Sequence, residues 1–518
     1  MRLIGRGALV SRRLSDLAEQ PPRRSGQRRR PQHTQQLTPQ RAAPGTDHPE
    51  PDRARRVVFE LLREVAELDA YANLVLPRLL SARHISGRDA AFATELGYGT
   101  LRAQGTLDAI LSACVDRELS DIEPAVLDLL RLGAYQVLRT RIPPHAAVGT
   151  TVELARATRN GRASGFVNAV LRRVTRNDWD GWVDQLSAGL PALDRISLQT
   201  AHPRWIADAF ADALAHPAGS AEEPAGNAAE TELGETELAE ALQADDARPQ
   251  THLVAWPGQI SVAELVAEAD GEPGPYSPYA VRMSGGDPAS VAAIRARHAA
   301  VQDEGSQLCA IALTEAPLDG PDVAWLDLCS GPGGKTALLA AIGAPRGVRL
   351  TANELHPHRA ELVAKATISW PVQIQVGDAR QLRGAADLNG PAAGFDRVLL
   401  DAPCSGLGAL RRRPEARWRR EPSDILELAP LQGQLLDSAL RLVRPGGVVA
   451  YVTCSPHRGE TVQVIEAALQ RHPGTFDVLD ARPSFPGVDQ LGTGPFVQLW
   501  PHRHGTDAMF CALLRRRS

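Results

Sequence analysis

The chain has 518 residues, of which 43% are hydrophobic and 23% charged, and its formal net charge is -4. That length suits about three domains with ample core. No run of eighteen apolar residues is present to cross a bilayer, and six Cys without a CxxC spacing exclude a disulfide framework or a zinc knuckle. A protein of the reducing cytoplasm, with no membrane contact and no resident metal, is the expectation. The modest net charge hides an asymmetry: residues 1–46 carry ten Arg against two acids (Asp16 and Glu19), while residues 217–247 carry nine acids and no Lys or Arg. Of 57 basic residues only Lys335 and Lys365 are Lys, so the position of each lysine invites a reason.

Residues 1–50 are rich in Arg, Gln, Pro and Ser and read as a disordered basic tail that touches nucleic acid weakly. No uninterrupted apolar stretch accompanies Arg12–Arg13, which rules out an export signal there. From Arg53 the pattern is helical. In Arg53–Leu80 the residues Val57, Val58, Leu61, Leu62, Val65 and Leu68 recur at helical spacing, and Ala90–Leu111, Pro124–Leu138, Ala146–Ala157 and Gly165–Val174 follow. The spacing predicts a bundle of about six helices over 51–185. The segments "ELGYGTLR", "EPAVLDLLRLGAYQVL", "PPHAAVGTTVELAR" and "SGFVNAVLRRV" resemble the NusB-type RNA-binding domain, which implies that this bundle binds RNA.

Residues 186–300 are expected to form a linking α/β region. The acidic insertion near 217–247 reads as a flexible loop through about Gly226, then a surface helix over Glu235–Ala244, its acids serving solvation. From Val323 apolar strand-like runs alternate with helices: "VAWLDLC", "VRLTAN", "VQIQV", "FDRVLL" and "VVAYVT", with a long amphipathic helix over Ser423–Val443 and a turn at Arg444-Pro-Gly-Gly. Strands separated by helices predict a doubly wound, mostly parallel, Rossmann-like sheet over 301–518. The terminal "FVQLWPHRHGTDAMFCALLR" predicts two strands joined by a loop, forming an antiparallel edge.

The chemistry lies at the strand ends. The loop Cys329-Ser-Gly-Pro-Gly-Gly-Lys-Thr follows a strand and opens a helix, as a nucleotide-binding turn does. It is not a phosphate loop, because the Walker pattern requires Gly where Cys329 stands and Pro332 removes a backbone donor. Glu354 follows the next strand, where a carboxylate accepts from both ribose hydroxyls; Asp378 follows the third, within reach of an adenine amino group; Asp401 ends the fourth. Three acids repel a triphosphate but tolerate the sulfonium and ammonium of S-adenosylmethionine. In Asp401-Ala-Pro-Cys404 a thiol occupies the place where amino-group methyltransferases carry an aromatic residue. A second thiol, in Thr453-Cys454-Ser455-Pro456, ends the next strand, so both fall on one edge of the sheet. A thiolate that adds to carbon 6 of a pyrimidine activates carbon 5 for methylation. Cys114, Cys309 and Cys511 read as core residues.

This constellation, over about residues 300–515, closely resembles the Fmu/Sun (RsmB-like) family of RNA 5-methylcytosine methyltransferases. The resemblance implies S-adenosylmethionine as cofactor, ribosomal RNA as partner, Cys454 as nucleophile, Cys404 as the thiol that assists product release, and Asp401 beside base and cofactor. It implies cofactor binding by Cys329, Ser330, Gly331, Pro332, Gly333, Gly334 and Lys335, by Glu354 where many members have Asp, and by Asp378 and Asp401. Lys335 falls inside this loop, which suggests that only a compact ammonium fits there; Lys365 carries no evident role. An Asn-Arg pair that members often carry before the catalytic domain is missing from Leu253-Val-Ala-Trp-Pro-Gly. After Cys404, the residues Arg411, Arg412, Arg413, Arg417, Trp418, Arg419 and Arg420 read as an RNA contact, with Arg neutralising phosphate and the indole free to stack on a base or pack locally.

The NusB-like bundle joined to this catalytic pattern is the arrangement of the bacterial small-subunit ribosomal RNA enzyme, and a monomer is expected. The rivals are a silent RNA-binding antitermination adaptor, and a methyltransferase acting on tRNA, DNA or protein; intact Cys404 and Cys454 oppose the first.

Overall fold

A computed structural model describes residues 52–216 and 228–518, the side chains of 228–233 excepted. The basic tail expected over 1–50 and the loop expected through Gly226 lie outside the described residues.

The chain first builds seven helices, α1 (Arg53–Leu68), α2 (Ala72–Ala82), α3 (Gly87–Arg102), α4 (Gln104–Cys114), α5 (Pro124–Arg139), α6 (Pro144–Ala157) and α7 (Ser164–Val174). Asp52 caps α1 by accepting from the amides of Ala54 and Arg55, and Val57, Val58, Leu61, Leu62 and Val65 point inward. Two stretches expected to be continuous are divided. Arg53–Leu80 breaks at Asp69, whose left-handed φ of 51° ends α1, and Ala90–Leu111 breaks at Ala103. Periodicity runs through both breaks because the flanking helices bury the same faces. Pro143 and Pro144 start α6, where a missing N–H costs nothing.

Four helices follow: α8 (Trp179–Ser187), α9 (Ala192–Gln199), α10 (Arg204–Ala215) and α11 (Ala228–Asp246). The expectation that the acidic helix lies on the surface is corrected. Leu238, Ala241 and Leu242 of α11 are buried against Ile206 and Phe210 of α10. Nor are all its acids solvated, since Asp245 is fully buried and Glu237 pairs with His502 and Arg503. A small antiparallel sheet of order β2-β3-β1-β4 then forms from β1 (His252–Ala255), β2 (Gly271–Pro273), β3 (Ala280–Met283) and β4 (Ala299–Val301), with α12 (Val262–Ala269) and α13 (Ala292–Arg295) inserted.

After α14 (Glu304–Glu315) the catalytic sheet begins. Its elements are β5 (Ala324–Asp327), α15 (Gly334–Gly343), β6 (Arg349–Glu354), α16 (Pro357–Ala366), β7 (Val372–Val376), β8 (Phe395–Asp401), α17 (Ala416–Arg419), α18 (Pro422–Leu442), β9 (Val443–Thr453), α19 (Val462–Arg471), β10 (Phe476–Leu479), β11 (Val497–Gln498), α20 (Pro501–His504) and β12 (Phe510–Arg516). The strand order is β10-β12-β9-β8-β5-β6-β7, with β11 paired to β12. Strands β5 to β9 are parallel. Alternate residues serve two cores: Trp325, Leu399 and Ala450 pack with α14 and α15, and Leu326, Val398 and Tyr451 with α18 and α19. This is the doubly wound, mostly parallel, Rossmann-like architecture expected.

Two local expectations fail. The C-terminal strand is not an edge. β12 lies between β9 and β10, antiparallel to both, and Phe510 to Leu514 are all buried, as a strand covered on both faces requires. Arg444-Pro-Gly-Gly is the irregular start of β9 rather than a free turn, with Gly446 at a φ of 76° and a register shift opposite Phe395–Arg397.

Candidate active site

The strand order reverses between β5 and β8, and a crevice opens at the carboxyl ends of the parallel strands beside such a switch point. The loop after β5 lies there, tied to β6. Ser330 donates its backbone N–H and its hydroxyl to the Asn353 carbonyl (2.9 and 3.0 Å), and Gly331 donates to Glu354 Oε2 at 2.9 Å. A Cβ on Gly331 would stand 2.3 Å from that oxygen, so the close approach demands glycine. Gly333 takes a φ of 113° where α15 begins. Glu354 is buried, and its other oxygen accepts from the His356 N–H at 3.0 Å. It therefore orders the loop, while each carboxylate oxygen retains a lone pair for a ligand hydroxyl. Asp378 caps the short turn after β7 and pairs with Arg380.

Lys335, in the first turn of α15, reaches Asp401 at the end of β8, with Nζ 2.8 Å from Oδ2. Burial works against the ammonium, but Asp401 outweighs it and the Lys335 pKa is raised. Cys404 and Cys454 converge from the ends of β8 and β9, their Sγ atoms 3.4 Å apart. Both are free thiols and both are partly exposed. Their environments differ. The hydrogen bond to Cys454, burial and the negative charge of Cys454, Glu460 and Asp401 push the Cys404 thiol well up. Cys454 is pulled down, first by the hydrogen bond from Cys404 and then by Lys335 and Arg413, against burial and Asp401. The opposed shifts favour Cys404 as the S–H donor and Cys454 as the sulfur that ionises, and a partly exposed Cys whose pKa is lowered is the better nucleophile of the two. Cys114, Cys309 and Cys511 are buried. Among the described residues no group of three or more His, Cys, Asp or Glu could hold a metal ion.

Most of the expected RNA contact is corrected. Arg411 is buried between Asp507 (2.8 Å) and Asp303 (3.3 Å), and Arg412 bridges the same two acids. Arg417 is fully buried and pairs with Asp245 and Asp246 of α11, at 3.5 and 2.9 Å. Trp418 donates its indole N–H to the Leu101 carbonyl at 2.7 Å and packs so closely that a Cβ on Gly105 would stand 2.2 Å from its ring. Arg419 donates to the carbonyls of Val65, Asp69 and Ala70. Arg417, Trp418 and Arg419 dock the helical bundle onto the parallel-sheet domain, whereas Arg411 and Arg412 tie the segment to that domain itself. Their charges meet internal acids and carbonyls, so they are not offered to phosphate. Arg413 differs: it is exposed and lies over the Tyr71 ring at 5.7 Å. Arg420, partly exposed, pairs with Asp424.

Sequence reading missed three residues of this region. Asp327, at the end of β5, is buried, accepts from Thr336 Oγ1 at 2.6 Å, and is pushed up to about 7, chiefly by burial. Gln302 is buried, and neither its amide nitrogen nor its oxygen has a partner. The nitrogen stands 3.6 Å from where a Cβ of Gly334 would be. An orphaned amide beside a glycine loop is an unused donor–acceptor pair facing ligand space. Glu460 is fully buried against the serines that follow both thiols. No local pattern in the sequence marks any of the three.

Residues 52–176 match the NusB family, and residues 313–515 match the family described as 16S rRNA methyltransferase RsmB/F. A ribosomal RNA small subunit methyltransferase B of Salmonella newport is 31% identical over 462 residues, covering 85% of this chain and 95% of its own. The chain belongs to the RsmB/F family of methyltransferases. A Mycobacterium tuberculosis relative, named as a methyltransferase without a stated substrate, is 54% identical over 468 residues, covering 90% of this chain and 97% of its own. The crystal structure of PH0851 shares the fold with a TM-score of 0.71 at 22% identity, covering 90% of this chain and 99% of that one. RsmB/F membership makes the chain a methyltransferase, and its N-terminal helices a NusB-type domain.

Proposed function

We propose that this RsmB/F member is an S-adenosylmethionine-dependent RNA (cytosine-C5) methyltransferase that modifies a cytosine of small-subunit ribosomal RNA through a covalent Cys454 adduct. The observation that carries this reading is the pair of thiols 3.4 Å apart, one set to be a thiolate, beside the Lys335–Asp401 pair. The relatives named for small-subunit ribosomal RNA support the substrate class.

The donor set suits the cofactor. The 329–335 loop, the carboxylates of Glu354 and Asp378 and the unpartnered amide of Gln302 are the groups that would hold S-adenosylmethionine, the acids suiting its positive ammonium and sulfonium and the amide its carboxylate. When bound, S-adenosylmethionine provides an electrophilic methyl group on a sulfonium that departs as a neutral thioether. The chain's own residues do the rest. The Cys454 thiolate forms a bond to carbon 6 of the cytosine and drives the ring electron pair to carbon 5, which takes the methyl group. The carbon 5 proton then leaves to a base, the carbon–sulfur bond breaks, and its electron pair returns to Cys454. Asp401, held by Lys335, faces the base at this point. Cys404 assists the release of product. Arg413 and the Tyr71 ring form the exposed lip where a neighbouring nucleotide rests.

The test is incubation of the protein with labelled S-adenosylmethionine and undermethylated 16S rRNA, followed by nucleoside analysis. Label in 5-methylcytosine is the expected result, and label in any other nucleoside, or none, refutes the reading. Cys454→Ala abolishes turnover. Cys404→Ala accumulates a denaturation-resistant protein–RNA adduct, and absence of that adduct in an enzyme that still methylates overturns the division of labour.

A further inference from the structure

Glu460 sits in a short turn six residues after Cys454 and has no accessible surface. Among the described residues no Lys, Arg or His forms an ion pair with it. Neutral donors hold it instead. Oε1 accepts from the Ser405 backbone N–H at 2.7 Å and from Gln432 Nε2 at 3.1 Å. Oε2 accepts from the Ser455 hydroxyl at 2.7 Å and from the Ser405 hydroxyl. Gln432 also donates to the Pro403 carbonyl at 2.9 Å, and the Tyr451 hydroxyl donates to the Glu460 carbonyl at 2.8 Å.

Ser405 follows Cys404, and Ser455 follows Cys454. One carboxylate thus grips the residue next to each thiol. The two serine hydroxyls stand 3.3 Å apart and the two sulfurs 3.4 Å apart, so the Cys–Ser steps run side by side from β8 and β9. Burying a charge without a counter-ion is costly even with four donors, and two serines bonded to each other would join these loops without it. The negative charge has a further consequence.

We propose that Glu460 is a positioning residue that clamps the Cys404–Ser405 and Cys454–Ser455 steps on one carboxylate and thereby makes two chemically identical thiols unequal. Glu460 takes two bonds from Ser405, which follows Cys404, against one from Ser455, and its charge is among those that push the Cys404 thiol up. Lys335 and Arg413 act on Cys454 and favour its thiolate, while Asp401 opposes ionisation of both thiols. Tyr451, buried beside Cys404 and Glu460, stays a neutral phenol, its own pKa pushed well up. These unequal surroundings favour the proton on Cys404, shared towards Cys454. A symmetric pair would divide the thiolate between two sulfurs, and half of it would be unable to reach carbon 6. The proposal rests on the thiol chemistry put forward above, but the inequality itself is readable without RNA.

The experiment is differential alkylation. The full-length protein and its Glu460→Gln, Glu460→Asp and Ser455→Ala variants are treated with iodoacetamide across pH, and labelling of each cysteine is followed by peptide mass spectrometry, with methylation of 16S rRNA measured in parallel. Alkylation rate follows the thiolate fraction. In the unaltered protein Cys454 labels at least about tenfold faster than Cys404 near neutral pH, the equivalent of one unit of pKa separation. In Glu460→Gln the ratio falls to within about threefold and the Cys454 inflection moves up, as expected when less of the thiolate resides on one sulfur. Glu460→Asp restores part of the ratio. Ser455→Ala keeps the charge and the grip on Ser405, loosens the Cys454 step alone, and gives an intermediate ratio with unchanged circular dichroism; it decides the matter if Glu460→Gln does not fold. A ratio unmoved in a folded Glu460→Gln or Ser455→Ala protein overturns the clamp. Loss of the ratio in a protein that never methylates cytosine leaves the clamp standing and refutes the proposed function instead.

Discussion

Arg417→Ala tests the docking of the helical bundle. The Arg417 side chain has no exposure, and five contacts hold it: the carbonyls of Arg102 (3.3 Å), Ala201 (3.1 Å) and Asp245 (3.2 Å), and the carboxylates of Asp246 (2.9 Å) and Asp245 (3.5 Å). Its removal leaves Asp245 buried and facing His202 alone, at 3.1 Å. Breaking a buried ion pair by deleting one partner costs about 3–5 kcal/mol, a range taken to include the abandoned carbonyls, which water can reach once the side chain is gone. About 4 kcal/mol is close to a thousandfold in an opening equilibrium. Native-state hydrogen exchange read by mass spectrometry is the assay, because one denaturation midpoint is ill defined for several domains. Amides of α11 and of the α3–α4 junction should lose protection by two to three powers of ten, estimated from that cost. Arg417→Lys should recover only part, since one ammonium cannot span acceptors spread about a planar fork. Arg413→Ala, at an exposed position, should stay within about 0.5 kcal/mol of the parent. Exchange in Arg417→Ala within threefold of the parent at α11 would refute the reasoning.

Gln302→Ala should weaken S-adenosylmethionine binding by roughly tenfold, the worth of a hydrogen bond to a charged group, and leave the fold unchanged; calorimetric titration checks the affinity and circular dichroism the fold. Lys335→Arg should fold normally by circular dichroism yet lose methyl transfer by about a hundredfold, because a guanidinium on this largely buried stem cannot occupy the place 2.8 Å from Asp401. Arg413→Ala should move the pH midpoint of Cys454 alkylation upward, since Arg413 is one of the cations favouring the thiolate, and should also shallow the salt dependence of RNA binding by about one unit of slope. Burial, reinforced by Arg417, holds His202 below its ordinary 6.5. The unfolded chain therefore binds the extra proton, and the His202 contribution is present above about 6.5 and lost below it, at up to about 1.4 kcal/mol per pH unit. Asp327, raised to about 7, acts in the opposite sense, favouring the fold at low pH and losing that effect as pH rises through 7. The His202 effect is therefore read locally, as faster exchange of α11 on acidification, rather than from a global melt.

Much of the site was legible because parallel strands announce themselves. Each apolar run ends at or next to its candidate site residue, so Glu354, Asp401 and Cys454 fall at the carboxyl edge once the strands are found. Two thiols at successive strand ends had to converge. What stayed hidden depends on contacts distant in sequence. The run from Arg411 to Arg420 has the composition of an RNA-binding segment, and only the positions of Asp303, Asp507, Asp245 and Asp246 show that much of its charge is spent internally. α11 reads as a solvated acidic helix because its apolar stripe of Leu238, Ala241 and Leu242 is narrow. A strand reached through a Gly-containing loop from its neighbour reads as an antiparallel edge, although the unbroken apolar run of β12 implies cover on both faces. Glu460 and Gln302 lie in polar, unremarked stretches, and burial alone distinguishes them.

The segment from Cys404 to Arg420 has a mechanical consequence. At one end it carries a reacting sulfur; thirteen residues on, Arg417 and Trp418 are anchored among α3, α4 and α11. A single strap of backbone therefore joins the chemistry to the module that grips the substrate. The strap is pinned twice on the way, at Gly408 and at Arg411–Arg412, so the bundle's anchor and the Cys404 sulfur are set in a fixed register by one piece of chain.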